Sequence, residues 1–378
     1  MSFLKQRDSK EKKTEEEKLY VASQWQLIRW RFFKHKLAMS ALAVLTIFYI
    51  CAIFAEFIAP YDPYKYDRNL ALAPPQRLHF FDEEGLFHLR PFTYKIKKSI
   101  DPQTWDITYV ESQTHRYPIY FWVHGDPYKL WGLFATNIHL FGTKGVETSP
   151  LFLLGGDRMG RDLFSRIIHA SRISLSIGLL GVAISFLLGI TIGGISGYYG
   201  GRTDLIIQRV IESIRCVPTL PLWMGLSMAL PPHWSITKTY FAIVIILSIV
   251  GWTGLARVVR GKFMATREED FVIAAKISGT SEVGIIFKHL LPSFYSHIIV
   301  SLTLSIPWMV LAETALSFIG LGMQAPALSW GVLLKSAQHI EVLARSSWIL
   351  TPGIFVVISI LAFNFLGDGL RDAADPYK

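Results

Sequence analysis

Few side chains in this 378-residue chain have the type and spacing for chemistry, and those few sit beside or inside apolar runs. Glu313 lies within one such run, where an ionised carboxylate costs on the order of 2.5 to 3.5 kcal/mol on insertion scales unless it is paired or wet. It must face protein or a cavity, either as a proton-coupling site or as a structural hydrogen-bond acceptor near the outer end of its helix. Glu212 and Arg215 stand at i and i+3 near the inner end of another run and are spaced to pair. Asp157, Arg161, Asp162 and Arg166 form a charged group ahead of a third run. They read as an outer gate, as inter-subunit pairs, or as the face of an exposed amphipathic helix. His79, His88, His115 and His124 are scattered without metal-ligand spacing, which argues against a membrane-anchored enzyme. No GxxxxGK[ST] phosphate loop occurs, so nothing in these residues would cradle ATP phosphates. The expectation is a chain with no catalytic residue, no metal site and no cofactor of its own.

The elements that must position these residues are membrane helices. Hydrophobic residues make up 51% of the chain and are gathered into long runs, which points to lipid as the solvent. The formal charge of +9 comes from Lys and Arg flanking those runs, as at anionic headgroups, and not from a nucleic-acid surface. Six crossings are expected, over residues 37–58, 173–198, 206–230, 240–259, 296–321 and 348–366, each near the twenty residues a bilayer needs. The third is interrupted by Glu212, Arg215, Pro218 and Pro221, which is tolerated where a helix is covered by protein or lines a cavity.

Residues 1–36 form an N-tail whose acidic Glu15, Glu16 and Glu17 argue for a retained anchor over a cleaved signal. Its end mixes Trp25, Trp30, Phe32 and Phe33 with Arg29, Arg31, Lys34 and Lys36, as in an interfacial helix or a juxtamembrane flank. Basic residues such as Arg202, Arg257, Arg260, Lys262, Arg267, Lys276, Lys288 and Arg371 fall on one side if both termini are cytoplasmic. Residues 59–153 then form an extracytoplasmic insert. Alternation of Phe92, Tyr94 and Ile96 with Thr93, Lys95 and Lys97 predicts strand, with a turn near Asp82 and Gly85, hence a small β-rich cap. Its Trp105, Trp122 and Trp131 are expected in a compact core in preference to a ligand cage. The two cysteines, Cys51 and Cys216, lie in apolar runs and imply no disulfide framework.

Gly181, Ser185, Gly189, Gly193 and Gly197 recur every fourth residue in the second run. This small-residue stripe allows close helix approach, either within the subunit or across a subunit interface. Residues 265–292 are too polar for the bilayer. Glu268, Glu269 and Asp270 open a short helix, Gly279 ends it, Thr280 or Ser281 caps another, and Pro292 suits the first turn of the next span. The result is a helical hook held at both ends by the membrane. Ala275 and Gly279, one turn apart, would let a partner groove approach, with Lys276 and Lys288 at its rim.

Ile273-Ala274-Ala275, then Gly279, then Leu291-Pro292 resembles the coupling-loop signature of permeases of ATP-binding-cassette importers: Glu-Ala-Ala, three residues, Gly, nine residues, Ile-x-Leu-Pro. Ile273 replaces the Glu and His289 the Ile. Residues 154–157 (LGGD), 160–162 (GRD), Ser165-Arg166, 313–322 (ETALSFIGLG), Ser329-Trp330-Gly331, 364–376 (NFLGDGLRDAADP) and 58–63 (IAPYDP) are similar to the oligopeptide, dipeptide and nickel branch, and to the C-type permease of its pair.

The resemblance implies an all-α polytopic protein with six transmembrane helices of the type I importer kind, here with the insert added. Its permease core would span residues 154–378 and its coupling contacts would be Glu269, Ala274, Ala275, Gly279, Leu291 and Pro292. Pro307 and Glu313 would line the route. Implied partners are a homologous second permease, two ATPase subunits carrying ATP and Mg, and an extracytoplasmic solute-binding protein, all at a bacterial cytoplasmic membrane. Peptides are the expected substrate, with oligosaccharides or nickel as alternatives. A proton-coupled secondary transporter would instead use Glu212 or Glu313, and would usually show an internal repeat, which is not found.

Overall fold

The computed structural model describes residues 24–82, 84–100, 102–103, 107–144 and 151–374. The acidic N-tail stretch, Trp105 and Pro376 lie outside them. Helix α1 (Gln24–Lys34) leads into α2 (Lys36–Ile53), which Phe54 separates from the single turn α3 (Ala55–Ile58). The sheet follows as β1 (His79–Phe81), β2 (Phe87–Ile100), β3 (Ile107–Leu130) and β4 (Phe134–Thr143). The remaining helices are α4 (Leu163–Tyr199), α5 (Gly201–Cys216), α6 (Thr219–Met228), α7 (Ile236–Thr266), α8 (Asp270–Ile277), α9 (Tyr295–Ile319), α10 (Trp330–Leu334) and α11 (Thr351–Ala374).

Among the described residues, five helical runs are long and apolar enough to cross a membrane: Lys36–Ile53, Leu163–Tyr199, Ile236–Thr266, Glu282–Ile319 and Ser347–Ala374. The sixth expected crossing, 206–230, is not one helix. Pro218 lacks a backbone donor and drives Val217 to extended geometry (φ −86°, ψ 129°), so the chain breaks into α5 and α6. Glu212 also pairs differently from expectation: it takes Arg209 at 2.8 Å, one turn earlier, instead of Arg215.

Helix α4 is the mast of the bundle. Its 37 residues span about 55 Å at the usual rise, well beyond the hydrocarbon layer. Asp162 caps its start by accepting the Ser165 N–H at 2.8 Å. The stripe of small residues packs within this chain. A Cβ on Gly181 would stand 2.9 Å from Met309 of α9, on Gly189 2.9 Å from Leu255, and on Gly197 2.7 Å from the Arg260 carbonyl oxygen of α7. No larger residue fits that seam, which is how two helices associate tightly where lipid gives no hydrophobic drive.

Trp330, fully buried, centres a second packing layer, with Phe48 edge-on at 6.1 Å and Phe355 tilted at 6.4 Å. It draws α2, α10 and α11 onto α4.

The sheet is antiparallel in the order β1-β2-β3-β4. The first half of β3 pairs with β2 and the second half with β4. The β1–β2 turn closes through Gly85 (φ +77°), whose N–H reaches the Asp82 carbonyl at 3.1 Å. Phe92, Tyr94 and Ile96 alternate onto one face and are buried, but Thr93, paired with Tyr117 on the other face, is buried as well, so this part of β2 is covered on both sides. Trp122 and Trp131 are not part of this core. Trp122 and Trp131 are exposed, because both hold positive φ (55° and 53°) and turn out of the sheet.

Candidate functional site

The most developed polar feature is the hook between α7 and α9. Helix α8 starts at Asp270, with Glu269 extended as its N-cap residue and the acidic pair at the positive end of the helix dipole. It ends in a Schellman turn: the Gly279 N–H meets the Lys276 carbonyl at 3.0 Å and the Thr280 N–H meets the Ala275 carbonyl at 3.1 Å. Gly279 takes φ +78° there, which a residue with a Cβ adopts at a cost. Ser281 then caps the turn Glu282–Gly284 by accepting the Gly284 N–H at 3.2 Å, and a π-helical stretch Ile285–Leu290 leads to Pro292.

Burial divides the hook into two faces. Val272, Ala275, Ile285, Leu290 and Leu291 are buried against Val259, Phe263, Phe294 and Ile298. Ala275 therefore points into the chain's own core while Gly279 stays exposed, so the two do not share one open face. The open face carries Phe271, Ile273, Ala274, Ile277, Val283 and Phe287, with Glu269, Gly279 and Pro292 also exposed. Ile277 is 82% exposed, a large apolar side chain with nothing of this chain covering it.

Three contacts tie the hook to the end of α4. The Arg267 guanidinium donates to the Tyr198 carbonyl at 3.4 Å, Lys276 Nζ lies 5.5 Å from the centre of the Tyr198 ring, and the Tyr199 hydroxyl donates to Glu282 at 2.7 Å. A few residues away, Asp204 of α5 is gripped by the Arg260 guanidinium of α7 through both carboxylate oxygens and by the Ser196 hydroxyl of α4. Next to the hook, α4, α5 and α7 are thus held together by one polar cluster. Sequence reasoning missed Asp204 and Arg260 as a pair. Their signal was an acid next to the edge of a hydrophobic run and a base mid-helix, but the 56-residue separation hid the partnership.

Midway along the bundle, α4, α7 and α9 leave a groove of about 310 Å³ lined by Ser185, Gly251, Gly254, Ser301, Ser305 and Trp308 among others. Pro307 and Glu313, on α9, are buried and are not among the residues that line it. Glu313 accepts from the Ser317 hydroxyl at 2.7 Å and the Ser174 hydroxyl at 3.2 Å. Each serine in turn receives a backbone N–H: Ser317 from Met323 at 2.9 Å, Ser174 from Trp330 at 3.0 Å. One carboxylate thus holds α4, α9 and the loop into α10 in fixed register.

At the start of α4, three of the four predicted charged residues, Asp157, Arg161 and Arg166, come together as one knot, while Asp162 caps the helix. Asp157 takes Arg161 at 2.7 Å and Arg166 at 3.5 Å, and also accepts the Met159 and Arg161 N–H groups. Arg166 donates to the Pro63 carbonyl at 3.0 Å. Asp157, Asp162 and Arg166 are buried, so this is no exposed amphipathic helix. Burial pushes the Asp162 carboxyl up to about 6, partly offset by the Ser165 donors. Arg172 forms a further clasp that the sequence did not reveal: it binds Glu56 and the Ala52 and Ile53 carbonyls at the end of α2.

Residues 189–377 match the family described as binding-protein-dependent transport system inner membrane component, and residues 23–75 match the N-terminal TM domain of oligopeptide transport permease C. The dipeptide transport system permease protein of Bacillus subtilis (strain 168) is 40% identical over 223 residues, which covers 59% of this chain and 68% of that protein. The di/tripeptide transport system permease protein of Pseudomonas aeruginosa (strain UCBPP-PA14) is 30% identical over 349 residues, covering 92% of this chain and 90% of that one. The chain therefore belongs to the family of inner membrane components of binding-protein-dependent transport systems.

Proposed function

We propose that this chain is one half of the translocation pathway of an ATP-driven peptide importer, moved by ATPase subunits that grip its hook. The observation that carries this reading is the hook itself: a capped turn with an apolar outer face, tied through Tyr198 and Tyr199 to the end of α4, which Asp204 and Arg260 in turn pin to α5 and α7. Such ties let a nucleotide-driven movement of a partner bias a two-state bundle, since differential docking in the two states supplies the free energy. Relatives named for dipeptide, oligopeptide and di/tripeptide transport support peptides over oligosaccharides or nickel.

In this reading the protein sits in a bacterial inner membrane with both termini cytoplasmic. Helix α1 lies along the inner surface through Trp25, Trp30 and Phe33, all exposed. Helices α5 and α6 together make a broken sixth crossing of a type I importer fold, covered where Ile211 packs on Trp252 and Ala256. Residues 59–153 lie outside the cell. A homologous second permease completes the route along the groove beside Ser301, Ser305 and Trp308. An external binding protein delivers substrate, and two ATPases carry ATP and Mg.

The test is capture in mild detergent of the Phe271→Asp, Ile277→Asp double variant, whose changes fall on exposed positions and spare the core. ATPase subunits that accompany the unaltered chain should be lost and peptide-stimulated ATP hydrolysis should collapse. ATPases that stay bound would show that the hook is not their seat. Competition of uptake by peptides, and not by oligosaccharides or nickel, checks the substrate.

A further inference from the structure

The β3–β4 hairpin ends beside the end of a membrane helix, with large apolar side chains pointing into open space. We propose that this tip is a lipid anchor: Trp131, Leu133 and Phe134 enter the membrane–water boundary at the level where α2 leaves the bilayer. The inference rests on α2 being a membrane crossing.

The level is set by α2. Its 18 residues rise about 27 Å, close to the hydrocarbon thickness, so with Lys36 at one boundary Ile53 stands at the other. The Arg172–Glu56 ion pair lies at that same end, as fits a boundary and not a hydrocarbon centre. The Trp131 indole N–H donates to the Ile53 carbonyl at 2.8 Å, and its ring lies 5.5 Å from that of Phe54. Trp122 meets Phe57 at 5.2 Å, and His139 bonds the Ala59 carbonyl at 2.6 Å, so the hairpin climbs away from its tip alongside α3. The tip is thus its deepest part.

What the tip displays matches that level. Leu133 is 76% exposed and Phe134 62% exposed, continuous with the exposed stripe Ile47, Ile50 and Ile53 on α2. Indole rings favour this boundary, where an apolar body and a polar N–H each find their medium. Lys129, exposed one strand position before Leu130, has the reach to meet headgroup phosphates.

Turn chemistry does not account for these residues. Leu133 N–H bonds the Leu130 carbonyl at 3.0 Å and both central residues have positive φ, Trp131 at 53° and Gly132 at 75°. With Leu130 paired to Phe134, the connection is a three-residue turn, and a tryptophan held at left-handed φ in it is strained. Its side chain, and not its backbone preference, explains it.

The full chain, with Cys51→Ala and Cys216→Ser, is labelled with an environment-sensitive fluorophore at Leu133→Cys, at Ile47→Cys or at Leu89→Cys. It is reconstituted in vesicles without bromine, or with phosphatidylcholine brominated either near the headgroup end of its acyl chains, the reporter for Leu133, or near their middle, the reporter for Ile47, which lies about 9 Å inside the boundary. Bromine is expected to remove roughly half of the Leu133 signal, as for a group at the boundary, and to leave the Leu89 signal unchanged. Quenching at Ile47 with none at Leu133 beyond that at Leu89 overturns the anchor alone. Absence of quenching at both Ile47 and Leu133 overturns the membrane reading of α2, and the anchor with it.

Discussion

Replacing Gly193 by Ala tests whether the bundle is held by direct backbone contact between α4 and α7. An added Cβ would stand 2.8 Å from the Ala256 Cα and 2.9 Å from its carbonyl carbon, closer still to the carbonyl oxygen. Carbon atoms rest at roughly 3.5–4.0 Å, so the helices must part by about 0.7 Å or more at that point. The obstacle is backbone, and no rotamer change relieves it. Overpacking of this kind costs roughly 1–3 kcal/mol, and here the strain propagates to Gly189 and Gly197 on the same seam. Gly261→Ala is the control, since a Cβ there meets nothing within 4 Å. Its expected effect is a change within about 1 kcal/mol, in the direction of greater stability, because Ala is the better helix former. Unfolding by dodecyl sulfate titration in mild detergent, followed by tryptophan fluorescence, should separate the two variants. If Gly193→Ala unfolds no earlier than Gly261→Ala, the reasoning about a backbone-to-backbone seam is refuted.

Gly279→Ala meets no atom within 4 Å and so tests backbone conformation alone: φ +78° should cost about 1 kcal/mol, read as faster amide exchange over residues 270–282 and weaker ATPase capture. Glu313→Ala orphans the Ser174 and Ser317 hydroxyls and should destabilise by roughly 1–3 kcal/mol, while Glu313→Gln, which keeps an acceptor, should cost less than half of that. Loss of uptake in the Gln variant at unchanged stability would instead favour a proton role.

Asp162 supplies a pH test. Burial raises its carboxyl from 3.8 to about 6, so between those values the folded chain holds a proton that the unfolded chain releases. Its contribution, at most about 3 kcal/mol, is complete below pH 4 and lost as pH rises through 6. Asp162→Asn keeps an acceptor for the Ser165 N–H and should flatten the slope of stability between those pH values; an unchanged slope would show that Asp162 titrates normally.

Local chemistry made the hook legible before any coordinates. The acidic opening at Glu269 and Asp270, the stop at Gly279 and the start at Pro292 depend on neighbours a few residues away, and each stands where the spacing put it. The third run is broken where its interruptions stand, at Pro218. The residue before a proline leaves the helical region, as Val217 does, so one apolar run becomes two helices; how those two sit in space is set by packing that the run itself does not encode. In the sheet, alternation picked out Phe92, Tyr94 and Ile96, which are buried, but not Thr93 on the opposite face, which is buried too; residue type alone placed Trp122 and Trp131 in a core they do not join, because the positive φ of each cannot be read from composition.

What the amino-acid order determines by itself is where apolar runs begin and end, which turns cap them, and that Gly193 and its neighbours form one smooth face. These follow from interactions within a helical turn or from transfer to lipid, which each segment settles alone. Only the tertiary structure decided that this face meets α7 and not a second subunit, that Asp204 finds Arg260, that Arg172 clasps Glu56, and that Ala275 turns inward while Ile277 turns out. Such pairings join residues dozens to more than a hundred positions apart, and their energies depend on distance and burial in space, which no local pattern encodes.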